Sequence, residues 1–481
     1  MIYKERLLAG LPRMFWVVNS LELFERMAYY GIFNLLALYL TNSPDTGALG
    51  FSQTEKGLLM GTVNMILYFL PVITGSIADR FGYKKVLTIA FIILTSGYYL
   101  MGQVRSYPMV FVSFLYVATG AALFKPIISA TIAKVTGDRN VSVGFGIFYM
   151  VVNIGAMIGP VVASELRETD WHYVFIMSSS AILVNILILF LFFRDPDEKP
   201  SGERLPEVIA KVFSNIYLAL KDFRFLMFLL IVSGAWAVYW QLFYSMPVFI
   251  DQWVDTTVIY RALEQLSPGL ARAAGTGDGT ILAEKIITLD AFYIVLLQVF
   301  ISRFVTRFNP LGTIIAGILI NTLGLVLAFT TRNGLFLVLA LFIFGIGEMT
   351  FSPKILEYIA RIAPRDKSAL YMGAQFLPIA LGNLICGIIS GRGYEWLADK
   401  HRLLATELSR QGYMLPSTAG ESSHEYVTRA CELLQVSPHK LDDLLWSAYH
   451  PWKFMVALLA LGLLTAASLF VYDRITSRKN T

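Results

Sequence analysis

Cysteine is nearly absent: the 481 residues include only Cys386, inside an apolar run, and Cys431, in a polar segment. Such a pair provides neither a disulfide framework nor a metal-ligand spacing, so redox chemistry is not the theme. Histidine is almost as rare. Of five, His401, His424, His439 and His450 fall in one polar stretch, and none sits in a metal-ligand pattern. Charge is scarce as well, at 15% of residues against 56% hydrophobic, and the mean hydropathy of +0.61 lies outside the range of soluble globular chains. No G-x-S-x-G, H-E-x-x-H or P-loop pattern occurs, so an enzyme is not expected. The opening MIYKERLLAGLPR is too charged to be a cleaved signal peptide, so the first helix is expected to stay in the protein.

What is abundant is long apolar runs. They start near residues 14, 54, 86, 108, 143, 173, 225, 286, 312, 335, 369 and 452, and each is long enough to cross a hydrocarbon layer of ~30 Å. Twelve membrane helices are therefore expected. Basic residues concentrate in cytoplasmic loops. With the N-terminus inside, 22 Lys and Arg fall on that side, against Arg105, Arg167 and Arg332 in the short outer loops. Both termini are thus expected in the cytoplasm. The net charge of +5 is spent on topology, which excludes a nucleic-acid partner. Lys56 and Lys453 lie near helix ends, where long side chains can snorkel.

A charged linker, 194–224, separates residues 1–193 from 225–481, and the second half carries outer segments 251–285 and 392–450. Two six-helix lobes joined by a cytoplasmic linker are what a two-lobed secondary transporter needs. The stretches EWLADKHRLLATELSR and SSHEYVTRACELL are amphipathic, and the second has a capping-box spacing from Ser422, so 392–450 reads as a small helical insert.

Against this apolar background Glu22, Glu25, Arg26, Lys125, Asp290, Glu348, Lys354 and Glu357 stand at membrane depth, where an ionisable group costs at least ~2.5–3.5 kcal/mol. On a helix Glu22, Arg26 and Tyr29 form a narrow stripe flanked by Glu25 and Tyr30. One reading is a self-neutralised Glu22–Arg26 pair that locks the bundle, which leaves the third charge unexplained. Lys354 and Glu357, at i and i+3, read as a local ion pair; a cross-chain partner for Lys354 would make it part of an inner gate.

GSIADRFGYKK, residues 75–85, resembles the loop signature of the major facilitator superfamily through Gly75, Asp79, Arg80, Gly82, Lys84 and Lys85. E-x-x-E-R-M-A-Y-Y-G from Glu22 resembles the first-helix signature of its proton-dependent oligopeptide transporter branch. GAALFKPIISA, GFGIFYMVVNIGAMIGP, GEMTFSPKILEYIARIAP and YMGAQFLPIALGN resemble that branch's fourth, fifth, tenth and eleventh helices. The resemblance implies an all-α membrane fold of two six-helix lobes. It also implies proton coupling through Glu22, Glu25 and Arg26, capture of a peptide carboxylate by Arg26 and Lys125, Glu348 facing the peptide's amino group, and a cavity lined by Tyr29, Tyr30, Tyr149 and Asn153.

Departures accompany it. Trp240 stands at the seventh-helix acid's position, Asp290 where asparagine is usual, and Gln375 at the eleventh-helix tryptophan's position. Asp290 could replace the missing acid in closing an outer gate against Arg26. The function expected is proton-coupled uptake of small peptides or similar zwitterions. The alternative is an antiporter that exports drugs or metabolites on the same fold. Protons, a small solute and lipid are the implied partners, with no cofactor, in a monomer of the plasma membrane, a bacterial inner membrane in the first instance.

Overall fold

The computed structural model describes residues 11–195, 205–364, 368–413 and 423–477; within them the side chains of 72, 76, 79, 137–142, 205, 208, 368–370 and 423–425 are not described. Among the described residues every regular element is a helix, beside one isolated bridge from Asp255 to Asn333. Ten helical stretches are long and apolar enough to cross a membrane, and they start within a few residues of ten of the expected spans. The two other expected spans correspond to Arg13–Thr41 and to the pair Gln53–Phe69 and Pro71–Phe81. Their own charges, among them Glu22, Glu25 and Arg26, lower their apolar character. The chain is an all-α membrane protein.

The helices end where local chemistry requires it. Gly82, at φ 90°, separates Pro71–Phe81 from Tyr83–Met101 in a conformation that L side chains rarely adopt. The Asp170 carboxylate accepts from His172 N at 2.7 Å and caps Trp171–Phe192. The seventh span is broken into Phe223–Tyr239, Gln241–Tyr244 and Met246–Trp253, where Pro247 cannot donate to the preceding turn. Residues 134–142 join two separate spans, Tyr107–Thr136 and Val143–Arg167, as expected, but they carry helical backbone from Tyr107 to Arg167 and not an irregular loop. That segment contains no proline to break it. Sixty-one residues in a straight line would be ~90 Å long, three bilayers. The chain instead turns: a Cβ on Gly144 would lie 3.2 Å from Thr136 Cβ, where eight residues of straight helix rise ~12 Å.

Two compact units are present, and they do not follow the halves in chain order. The first comprises Met1–Ile32, Val63–Met227 and Ile362–Ala380, the second Phe33–Thr62, Phe228–Arg361 and Leu381–Thr481. Within the first, Gly155 and Gly159 bring the fifth span against the first helix; a Cβ on Gly155 would sit 2.9 Å from Leu23 O, and one on Gly159 3.0 Å from Gly31 N. From the sixth span, Ser178 Oγ donates to Ala28 O at 3.0 Å and Asn185 Nδ2 to Leu21 O at 2.9 Å. The charged stretch is thereby held on both sides. Within the second unit, residues 53–62 meet residues 383–391 backbone to backbone. A Cβ on Gly57 would be 2.6 Å from Gly391 Cα, and one on Gly61 2.9 Å from Gly387 Cα.

Of the segment 392–450, the described parts form the helices Lys400–Arg410, Ser423–Leu434 and Pro438–Tyr449. Asp399 and Ser437 cap the first and third; Ser422 lies outside the described residues.

Because neither backbone at the glycine contact can retreat, Gly61→Val is expected to destabilise the protein by about 1–3 kcal/mol. Gly146→Ala, whose Cβ meets nothing within 4 Å, should leave stability unchanged. Thermal unfolding of both variants in detergent checks the contrast.

Candidate functional site

The first helix presents its three charges as one cluster. Glu25 is 0% exposed, and Glu22 and Arg26 are each 5% exposed. Arg26 Nε lies 3.2 Å from Glu22 Oε1 and donates to Glu25 Oε2 at 2.5 Å, and Nη2 also pairs with Glu25. The guanidinium stands 5.1 Å from the centre of the Tyr29 ring and 5.9 Å from that of Tyr30. Glu25 Oε1 has no hydrogen-bond partner among the described residues. Two carboxylates thus share one guanidinium, and the simple self-neutralised pair of Glu22 and Arg26 is not what is found. Lys125, from the fourth span, places its ammonium 4.4 Å over the Tyr68 ring and 5.7 Å over that of Tyr29, which adds a second cation to the neighbourhood.

Tyr149, in the same unit, is 45% exposed, while Asn153 spends its Nδ2 on the Tyr149 carbonyl at 2.9 Å. Gln375 lies in the turn between Ser368–Gly373 and Phe376–Ile388, its amide donating to Met372 O. The loop motif is anchored on residues beyond its own span: Lys84 N donates to Asp195 Oδ1 at 2.7 Å and Lys84 Nζ to Phe193 O at 3.1 Å. Gly75 faces Pro126 Cβ, the guanidinium of Arg80 lies by the Phe81 ring, and Lys85 is exposed. The Asp79 side chain lies outside the described residues.

The second unit holds a different device. Asp290 and Glu348 are 4% and 8% exposed, and Asp290 Oδ1 would lie 3.0 Å from a Cβ on Gly345, one turn before Glu348 on its helix. Asp290 Oδ1 and Glu348 Oε2 are both buried with no hydrogen-bond partner among the described residues. Trp240, at the break in the seventh span, is packed edge-on against Phe33 at 5.7 Å and Tyr239 at 5.3 Å. Lys354 and Glu357 form the local pair expected, at 2.7 Å, extended to Arg361 at 2.5 Å.

Lys56 corrects the sequence reading. It does not snorkel; it is 0% exposed, with Nζ donating to Gln53 Oε1 at 2.7 Å and to the Tyr244 carbonyl at 2.8 Å. Gln53 Nε2 continues to Asp399 Oδ1 at 3.1 Å, where Gln252 Nε2 also donates at 2.9 Å. The Tyr244 hydroxyl lies 2.9 Å from both Met60 O and Asn383 Oδ1. This polar chain runs alongside the glycine contact. The available signal was Gln53 and Lys56 at i, i+3 on a helix whose neighbouring glycines, Gly57 and Gly61, mark a packed face.

A family model described as Major Facilitator Superfamily matches residues 20–277. Among similar proteins, the "Dipeptide and tripeptide permease B" of Salmonella typhimurium is 25% identical over 408 residues, covering 82% of this chain and 74% of the permease. The "Multidrug resistance protein MdtH" of Aeromonas hydrophila is 24% identical over 403 residues, covering 80% and 90%. Among solved structures, a POT family transporter in complex with 5-aminolevulinic acid superposes with a TM-score of 0.67 at 16% identity, covering 97% of this chain and 96% of that one.

Lys56→Met keeps the stem of the side chain and removes its donors, leaving the buried Tyr244 carbonyl short of a partner. A loss of about 1–3 kcal/mol is expected, read as a lower unfolding temperature in detergent. Lys453→Met, at an exposed position, should show no such loss.

Proposed function

Since the chain belongs to the Major Facilitator Superfamily, whose matched relatives are transporters and not enzymes, we propose that it is a proton-coupled symporter of small peptides or peptide-like zwitterions. The observation that carries this reading is the buried cluster of Glu22, Glu25 and Arg26. Two acids on one guanidinium at membrane depth form a costly arrangement, and a proton taken up by either acid changes what the arginine can bind.

In this mechanism protonation of the acids releases Arg26, which with Lys125 takes the solute's carboxylate. Glu348 takes the amino group, and Asp290, beside the same helix, adds a second acid to that side of the solute. Tyr29, Tyr30, Tyr149, Asn153, Trp240 and Gln375 shape the space around the solute. Access alternates between two six-helix lobes, 1–193 and 225–481, with both termini in the cytoplasm and the proton as the only coupling species. The likeness to a dipeptide and tripeptide permease supports the solute class. The protein is a multi-pass membrane protein, and its bacterial relatives support an inner membrane; we place it there as a monomer. Export of a drug or metabolite against protons is the second reading, supported by the likeness to a multidrug resistance protein.

Reconstitution in proteoliposomes tests the proposal. An inward proton gradient should drive accumulation of di- or tripeptides. Glu22→Gln should lower this accumulation about tenfold or more, a loss of at least ~1.4 kcal/mol in coupling, while solute exchange without a gradient persists. Lys125→Ala should weaken both. Accumulation that proceeds unchanged in Glu22→Gln refutes the coupling role, and outward movement of drug-like cations without peptide uptake selects the second reading.

A further inference from the structure

The second unit carries a cavity lined by none of the residues proposed above to handle solute or proton. It has a volume of about 730 Å³ and is walled by Phe300, Phe304 and Phe308 on one side and by Gly312 and Ala316 on the other, with Ile346 behind. Its size is that of a small-molecule site. The three phenylalanines are 71%, 59% and 52% exposed, and Leu296 and Val299 continue the same apolar strip at 51% and 76%. On the third helix of the cavity Ile346 and Thr350 are one turn apart. Glu348 lies between them in sequence, about 200° around the helix from Ile346, so the cavity and the Asp290–Glu348 pair occupy opposite faces.

The apolar wall has a charged lip. Arg303 and Arg307, one turn apart and both exposed, lie at the end of the span Ala283–Val305, where the apolar stretch gives way to Asn309. From residue 291 to 347 the sequence contains no Asp or Glu. The ion pairs of this unit lie elsewhere, among them Lys354–Glu357–Arg361, Arg332–Asp443 and Lys400–Asp442, and neither Arg303 nor Arg307 is ion-paired among the described residues. An open apolar groove ending at two uncompensated guanidinium groups, at the level where a membrane span ends, has the charge and shape of one ligand class.

We propose that this groove is a binding site for an anionic diacyl phospholipid, with an acyl chain lying along Phe300, Phe304 and Phe308 and the headgroup phosphate at Arg303 and Arg307. The small residues explain the concavity: a Cβ on Gly312 would meet nothing within 4 Å, so this wall is open space and not a close helix contact. A basic residue near the surface favours an anionic over a neutral headgroup by about fivefold, so two give a selectivity of about twentyfold or more.

Native mass spectrometry of the full chain in detergent tests this, titrated with phosphatidylglycerol or with phosphatidylcholine of the same acyl chains. Phosphatidylglycerol should be retained at least about tenfold better. The double variant Arg303→Gln with Arg307→Gln should bring the ratio close to one while leaving phosphatidylcholine retention unchanged. Gly312→Leu places a side chain in the groove, where a Cβ meets nothing within 4 Å, and should reduce retention of both lipids, with the unfolding temperature measured beside it to separate filling from misfolding. The proposal is overturned if selectivity survives the double variant, or if Gly312→Leu retains phosphatidylglycerol as the parent does. It is overturned equally if inorganic phosphate displaces the lipid at concentrations no higher than the lipid's own, which would leave an anion site with no role for the chain.

Discussion

The cost of burying charge in a medium that cannot solvate it organises this protein. In the first helix that cost is met by sharing: one guanidinium serves two carboxylates, and the tyrosine faces beside it accept what remains of the positive field. The rest of the first unit serves this cluster. Glycines of the fifth span let its backbone come close, and Ser178 and Asn185 bond the first helix's carbonyls, so that the charged stretch has little freedom to rearrange by itself. In a cluster packed this tightly, a change of charge at one member alters the balance at the other two.

The second unit solves the same problem by a different route. Among the described residues no ion pair joins Asp290 or Glu348 to a base, and each keeps a buried oxygen without a hydrogen-bond partner. The two units therefore hold ionisable groups differently, one as an ion cluster and the other as buried acids without a paired cation. Trp240 completes the contrast, since a packed aromatic ring occupies a position where a charge would have needed its own partner.

Much of this was legible from residue order. Apolar run length locates ten spans directly because burial in lipid demands it, and helical periodicity places Glu22, Arg26 and Tyr29 on one stripe. The illegible parts share a cause: they depend on what lies across from a residue and not beside it. Lys56 near a helix end looks the same in sequence whether its ammonium reaches outward or turns to a carbonyl 188 positions away. Asp290 replaced an asparagine, and only the fold reveals that its neighbour is Glu348. The stretch 134–142 is polar enough to read as a loop, yet nothing in it prevents helical backbone, and the reversal appears only in the distance from Thr136 to Gly144. The lone glycines of the second and eleventh spans were likewise silent until paired.

That pairing has an entropic side. Where Gly57 and Gly61 meet Gly387 and Gly391, the surfaces in contact are almost wholly main chain. Ordering a long side chain on contact costs up to ~2 kcal/mol of rotamer freedom, while glycine has no side chain to order. The contact is therefore made with no rotamers to immobilise, and it is flanked by the bonds of Lys56 and Tyr244. Such a junction is specific in its geometry while ordering almost no side chain, so its selectivity comes from shape alone.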